Sequence, residues 1–228
     1  MPNVSDGPPE QRVRIWYRVE GPLRYASVLE KGALWERLLR RAGMPLAYSH
    51  GFNPRPRLQL GTALPVGYAS DCEVLDVFMR SRVDADAVPS MLAPQLPSGL
   101  WLSAAKEVPL RARAIQARQR EAVYEVSVWD NIPGASLRER IQAFMASDSV
   151  PRERRKKGKI VDYDLRPLVL EIVLEDSDDA RHIMSMRVVA GNRGSGRPEE
   201  VLDELGLASH RYRIRRRQLV LAPEEEGS

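Results

Sequence analysis

Val13-Arg-Ile-Trp-Tyr-Arg-Val19, followed by Ser27-Val-Leu-Glu30 and the run to Gly43, decides the fold. The first stretch is rich in β-branched and aromatic residues and predicts a strand. The second is a capping box, in which a serine and a glutamate three positions on satisfy each other's backbone donors and open a helix. Over 28–42, Val28, Leu34, Trp35, Leu38, Leu39 and Ala42 share one side at helical spacing, with Arg37, Arg40 and Arg41 opposite. Lys31 falls inside the apolar stripe, either snorkelling out of it or marking a bend at Gly32. Gly43 supplies the stop. Working outward, 58–64, 73–80 and 100–108 predict strands, and Asp86 caps a short helix through Leu92 with Pro89 in its first turn. The order is β-α-β-β-α-β, the ferredoxin-like pattern.

The basic stretch 109–121 predicts an interdomain linker, and beyond it the same order recurs. Residues 124–129 predict a strand. Ser136-Leu-Arg-Glu139 is a second capping box, followed by Leu137, Ile141, Phe144 and Met145 on one helix face. Residues 150–161 and 165–175 predict a hairpin turning near Lys157-Gly158, and 182–189 a strand. Pro198 starts a helix, with Glu199 and Glu200 behind it and Gly206 at its end, and 212–221 is the last strand. The expectation is an α+β chain of two tandem ferredoxin-like domains, 11–108 and 122–222, between a disordered start at 1–10 and an acidic tail at 223–228.

The 228 residues, 43% hydrophobic and 29% charged, suffice for two such cores. A net charge of +4 says little, but the 35 basic residues are clustered, and clusters point to a polyanion. Cys72 is the single cysteine, which excludes a disulfide framework and a zinc or iron–sulfur site built on thiolates alone. His50, His182 and His210 show no metal spacing, so neither metal nor cofactor is expected. No apolar run reaches membrane-spanning length, and a reducing cytoplasm is the expected compartment.

Ser49-His-Gly-Phe-Asn-Pro-Arg-Pro-Arg57 carries the strongest chemical signal. Gly51, Pro54 and Pro56 forbid helix and stiffen the loop, so Ser49, Asn53, Arg55 and Arg57 are presented as phosphate-binding groups, with Arg37, Arg40 and Arg41 of the preceding helix beside them. Residues 152–159 hold six cations against one anion, Lys156, Lys157 and Lys159 among them. In the last strand Arg211, Arg213, Arg215 and Arg217 alternate with Tyr212, Ile214 and Arg216, so the first four share a face. A basic sheet face with aromatic neighbours suits single-stranded RNA; the competing reading is an edge guarded by cations against aggregation. The glycine-rich loop 189–198, with Arg193 and Arg197, offers backbone amides to a phosphate but matches no nucleotide-binding fingerprint. His50 and Tyr48 are the candidate acid–base residues, with no orienting acid in view; the pairs Asp162/Asp164 and Asp71/Glu73 more readily serve arginines.

Residues 23–27, 36–49 and 51–57, with Leu64-Pro-Val-Gly67, Ser70, Glu73, Asp164-Leu-Arg-Pro167 and Arg197-Pro-Glu-Glu-Val201, resemble an uncharacterised bacterial family usually labelled as a radical-SAM-associated domain. The resemblance covers roughly 12–217. It implies a partner, a B12-binding radical SAM enzyme, which this chain with its one cysteine is not. Where relatives read Ser-His-Leu-Asp, this chain has Ser27-Val-Leu-Glu30; where they read Asn-Pro-His-Pro-Lys, it has Asn53-Pro-Arg-Pro-Arg57. Roles needing those histidines are lost, and a role needing positive charge survives. At fold level the tandem arrangement is also similar to RAMP-type CRISPR RNA-processing endoribonucleases. The expected function is a non-catalytic RNA-binding or substrate-presenting accessory acting on tRNA or rRNA. Its rivals are a metal-independent ribonuclease or RNA-modifying enzyme and a protein–protein adaptor.

Overall fold

The computed structural model describes residues 8–129, 132–156, 158–178, 180–191 and 194–223, without the side chain of Lys156. The expected disordered start lies outside the described residues up to position 7, and the acidic tail from 224 on; Lys157 and Arg193 lie outside them too. The fold is α+β, and the chain divides into two compact units at Gln116/Ala117.

In the first unit, β1 (Gln11–Val19), β2 (Leu58–Leu60), β3 (Ala69–Met79) and β4 (Leu100–Val108) form an antiparallel sheet in the order β4-β1-β3-β2. Between β1 and β2 runs α1 (Val28–Arg41), and between β3 and β4 the short α2 (Val88–Leu92). The capping box is formed: the Ser27 N–H donates to Glu30 Oε2 (2.7 Å) and the Glu30 N–H to Ser27 Oγ (3.3 Å). Gly43, at φ 67°, ends the helix, with Met44 N–H returning to the Leu39 carbonyl and Gly43 N–H to that of Arg40. Trp35, Leu38 and Leu39 are buried, each contributing roughly 1.5–3 kcal/mol. Trp35 meets Tyr17 of β1 edge-on at 4.9 Å, which ties α1 to the sheet. Lys31 is buried in the same stripe.

Three expectations shift here. The strand at 58–64 stops at Leu60; Gly61 beyond it donates its N–H to the Val74 carbonyl at 2.7 Å, so close that a Cβ there would stand 2.9 Å from that oxygen. The cap before α2 is Asp84, whose Oδ1 accepts from the Asp86 N–H at the head of a 3-10 turn. The stretch expected as a linker, 109–121, divides: the carbonyls of Leu110 and Ala112 accept from Arg12, Ile115 is buried, α3 (Ile115–Arg118) follows, and β5 already begins at Gln119.

The second unit contains β5 (Gln119–Trp129), α4 (Gly134–Ala146), β6 (Pro151–Lys156), β7 (Lys159–Asp164), β8 (Val169–Ser177), β9 (Arg181–Val189), α5 (Pro198–Glu204) and β10 (Arg211–Leu221). Its sheet runs β10-β5-β9-β8, all antiparallel. Taking each sheet's four strands in chain order, both units place the fourth beside the first, then the third, then the second. Leu137, Ile141 and Phe144 of α4 and Leu202 of α5 are buried, as are Val126, Val128, Met184, Met186 and Val188 on alternate positions of β5 and β9.

The second capping box does not form. Pro133 is the N-cap of α4 and makes no side-chain cap bond, which places Ser136 inside the helix. The hairpin also differs: 151–156 pairs with 159–164 as a separate ribbon about Gly158 (φ 81°), while 169–177 joins the main sheet against β9. The break at Leu165–Leu168 explains this. Asp164 Oδ1 accepts from the N–H groups of Val150 (2.8 Å) and Arg166 (3.0 Å), and Arg166 donates onward to the carbonyls of Met145 and Val169.

Candidate nucleic-acid interface

The 47–57 loop is a closed turn on the first unit. Arg57 N–H donates to the Ala47 carbonyl (2.8 Å), Ser49 N–H to that of Arg55 (2.8 Å), and Arg55 N–H to Ser49 Oγ (3.1 Å). Ser49 thus closes the loop that lifts its neighbours into solvent. Pro56 is buried; Asn53, Arg55 and Arg57 are exposed, and Phe52 is fully exposed.

Between this loop and α1 lies an open cleft of about 770 Å³. Asn53, Pro54 and Arg55 line one wall, Val28, Leu29, Gly32, Ala33, Glu36 and Arg40 the other, and Leu60 lies between. The structure therefore brings Asn53 and Arg55 together with Arg40, which rests 3.5 Å from Glu36. Arg57 is not among the lining residues; its guanidinium lies 4.9 Å from the ring centroid of Phe78. Arg37 and Arg41 are exposed on α1 outside the cleft. His50 is exposed and Tyr48 half-buried, bridged through its backbone to Pro56.

Beneath the loop, sequence reasoning missed a buried charge cluster. Arg12 and Arg14 of β1 both bind Asp76 of β3, and all three are at most 4% exposed. Arg12 also donates to Gln59 Oε1 and stacks on Phe78 at 5.2 Å. The available signal was alternation: with Val13, Ile15 and Tyr17 facing the core, Arg12 and Arg14 share the other face. The Asp71/Glu73 pair is not formed as one site, since Glu73 is buried and accepts from Ser70 Oγ at 2.6 Å.

In the second unit, β10 alternates as expected. Ile214 and Arg216 are buried, while Arg211, Arg213 and Arg217 are exposed and Arg215 half-exposed. The face is not uniformly cationic. Arg217 Nε stands 3.8 Å from a Glu125 carboxylate oxygen, and Arg187 on β9 pairs with Glu121 at 2.5 Å. Towards the other end no carboxylate is paired to Arg213 among the described residues, and Arg211 lies over Trp129 at 4.9 Å. Arg181 of β9, exposed, is the cross-strand partner of Trp129. Trp129 was overlooked as a site residue because it only ended a strand.

The remaining cations divide. Arg152 pairs with Asp203 (2.8 Å) and Glu204 (2.5 Å), and Arg154 with Glu200 (2.9 Å) while stacking on Tyr163. Burial alone would lower the Arg152 pKa, but the bonds it donates to Asp203 and Glu204 carry it above the ordinary value; burial, then Glu200, raises that of Tyr163. These arginines fasten the β6–β7 ribbon to α5. Arg155 and Lys159 remain exposed near its tip. The glycines of 189–198 answer to packing. Side chains at Gly191 and Gly196 would approach the carbonyls of Gln119 and Leu168 at 2.5 and 2.6 Å, and Glu199 and Glu200 in the first turn of α5 disfavour an anion there. Arg197 is exposed before that helix. Among the described residues no group of three His, Cys, Asp or Glu is placed to hold a metal, and no helix is long and apolar enough to cross a membrane.

An α+β protein with exposed arginines in each of its two units is the class these features define. The chain belongs to the bacterial conserved family DUF2344, described as uncharacterised, which it matches over residues 12–198. No curated protein matches it. Among solved structures it is similar to a chain of a Cbf5-Nop10-Gar1 complex (TM-score 0.48, 13% identity, 96% of this chain and 55% of that one). It is also similar to a chain of an H/ACA RNP bound to a substrate RNA containing 2′-deoxyuridine (0.43, 10%, 93% and 49%). A third similarity is to an unknown protein from Galdieria sulphuraria (0.25, 12%, 90% and 98%). The chain spans about half the length of the first two, and similarities of this size carry no argument about function.

Proposed function

We propose that the protein is an RNA-binding, substrate-presenting accessory of a B12-binding radical SAM enzyme, acting on a structured RNA such as tRNA or rRNA. In this reading each unit is ferredoxin-like, which the shared strand order supports. The partner enzyme rests on the family resemblance alone. The observation that carries RNA binding is the exposed end of the second unit's sheet, where Arg211 and Arg181 are the cross-strand partners of Trp129 on either side and Arg213 follows two positions along β10, opposite Ser127. An aromatic ring among cations on an open sheet face takes stacked bases and their phosphates together. In the first unit Asn53 and Arg55 supply a second phosphate contact.

Fluorescence anisotropy of a labelled single-stranded 20-mer RNA, titrated at several salt concentrations, tests this. Affinity should fall with salt at a logarithmic slope near −0.7 per phosphate neutralised, roughly −2 to −3 for three or four arginines. Binding that is absent, or indifferent to salt, rejects the reading.

A further inference from the structure

Gly32 occupies the interior of α1, where a glycine weakens a helix through its backbone freedom. Crowding does not require it. A Cβ built there meets a single atom within 4 Å, Leu60 Cδ1 at 3.9 Å, an ordinary contact. Its φ does not lie in the left-handed region that favours glycine. What the missing side chain does is leave the cleft against the 47–57 loop open.

The cleft's surfaces are of two kinds. Gly32, Ala33, Leu60, Val28 and Leu29 form an apolar bed, and Leu29, 85% exposed, leaves apolar surface in water. Arg40 and Arg55 stand on opposite walls, with the Asn53 amide next to Arg55. Arg40 is shared with Glu36, whereas the Arg55 guanidinium has no carboxylate partner among the described residues. A ligand satisfying all of this has an apolar body, edge groups for an amide and an anion on a short tether, as a nucleotide does. The volume, about 770 Å³, is in the range of pockets that take small organic ligands.

The geometry points to a nucleotide-binding cleft: one unstacked base lies on the bed about Gly32, Asn53 meets its edge, and Arg55 binds the attached phosphate. This rests on the RNA reading above and sharpens it, making the cleft the place where a single nucleotide is held apart from its strand. The Arg211–Trp129 surface of the second unit is a separate site.

The test uses adenosine 5′-monophosphate and uridine 5′-monophosphate, with inorganic phosphate as the control, followed by amide NMR of the full chain. Either nucleotide should shift Gly32, Ala33, Asn53 and Leu60, and inorganic phosphate should leave Gly32 and Leu60 in place. Gly32→Leu fills the bed, removes a helix-weakening residue and should lower nucleotide affinity tenfold or more at unchanged folding. Arg55→Ala, on an exposed loop, should lower it about tenfold. Equal affinity in Gly32→Leu, or shifts from phosphate matching those from nucleotide, overturns the inference. Retention of the 20-mer with no nucleotide response overturns it while leaving the RNA reading intact. Cleft shifts produced instead by an acidic amphipathic peptide make it a protein groove and overturn it as well.

Discussion

The guanidinium of Arg211 lies 4.9 Å from the ring centroid of Trp129, its direct cross-strand partner between β10 and β5. A cation over an indole is attracted by the ring's quadrupole, and the pair holds both groups at the end of a sheet in a fixed orientation. Trp129→Ala should therefore weaken binding of the 20-mer RNA by about 1–3 kcal/mol, roughly 5- to 150-fold, the range of one base–aromatic stack. Arg213→Ala should reduce the salt slope by about 0.7. Wild-type affinity in the first variant would show that the tryptophan serves packing only.

Asp76 is a single carboxylate between two buried guanidinia. Asp76→Ala leaves both charges without their anion and should cost about 3–5 kcal/mol, read in urea as a lower midpoint for the first unit. A loss below about 1 kcal/mol would mean that the backbone carbonyls around Arg12 satisfy it on their own.

Gly196→Ala places a methyl 2.6 Å from the Leu168 carbonyl and should destabilise the second unit by roughly 1–3 kcal/mol. Its RNA affinity, measured where the variant is folded, should match the wild type. Lost affinity in a stable variant would return the glycine loop to the phosphate-binding surface.

Asp164 accepts two backbone N–H bonds, foremost that of Val150, and its pKa is lowered from the ordinary value of 3.8. A folded-state pKa below the unfolded one gives stability that is fully present above about pH 4 and disappears as pH falls through the folded value. Asp164→Ala should be less stable than wild type at pH 7, and the gap should narrow below pH 4. Midpoints in urea at pH 7, 5 and 3 check this; a gap independent of pH would assign the effect to packing.

Much of the scaffold was legible because it is local. Ser27 and Glu30 announce α1, Pro198 and Gly206 bracket α5, and the alternation of β10 separates Ile214 and Arg216 from their arginine neighbours. Legibility ended where distant residues decide. Ser136 and Glu139 have capping-box spacing, yet α4 starts earlier, at Gly134. The six cations of 152–159 look alike in sequence, but Arg152 and Arg154 meet the acids of α5 while Arg155 and Lys159 meet water. The cleft needed three separated pieces, 28–40, 53–55 and Leu60, so only its arginine wall was visible beforehand.

The backbone of the β6–β7 ribbon leaves and rejoins the second unit at one point, where the Leu165 N–H bonds the Val150 carbonyl at 2.9 Å. Its two ends are thus already adjacent, and no strand of the main sheet passes through it. A chain with 155–160 replaced by a short glycine splice keeps Arg152, Arg154 and Asp164 and should keep the four-stranded core. The outer half of the ribbon is in that sense a detachable appendage, a natural position for grafting a reporter or for shortening the molecule.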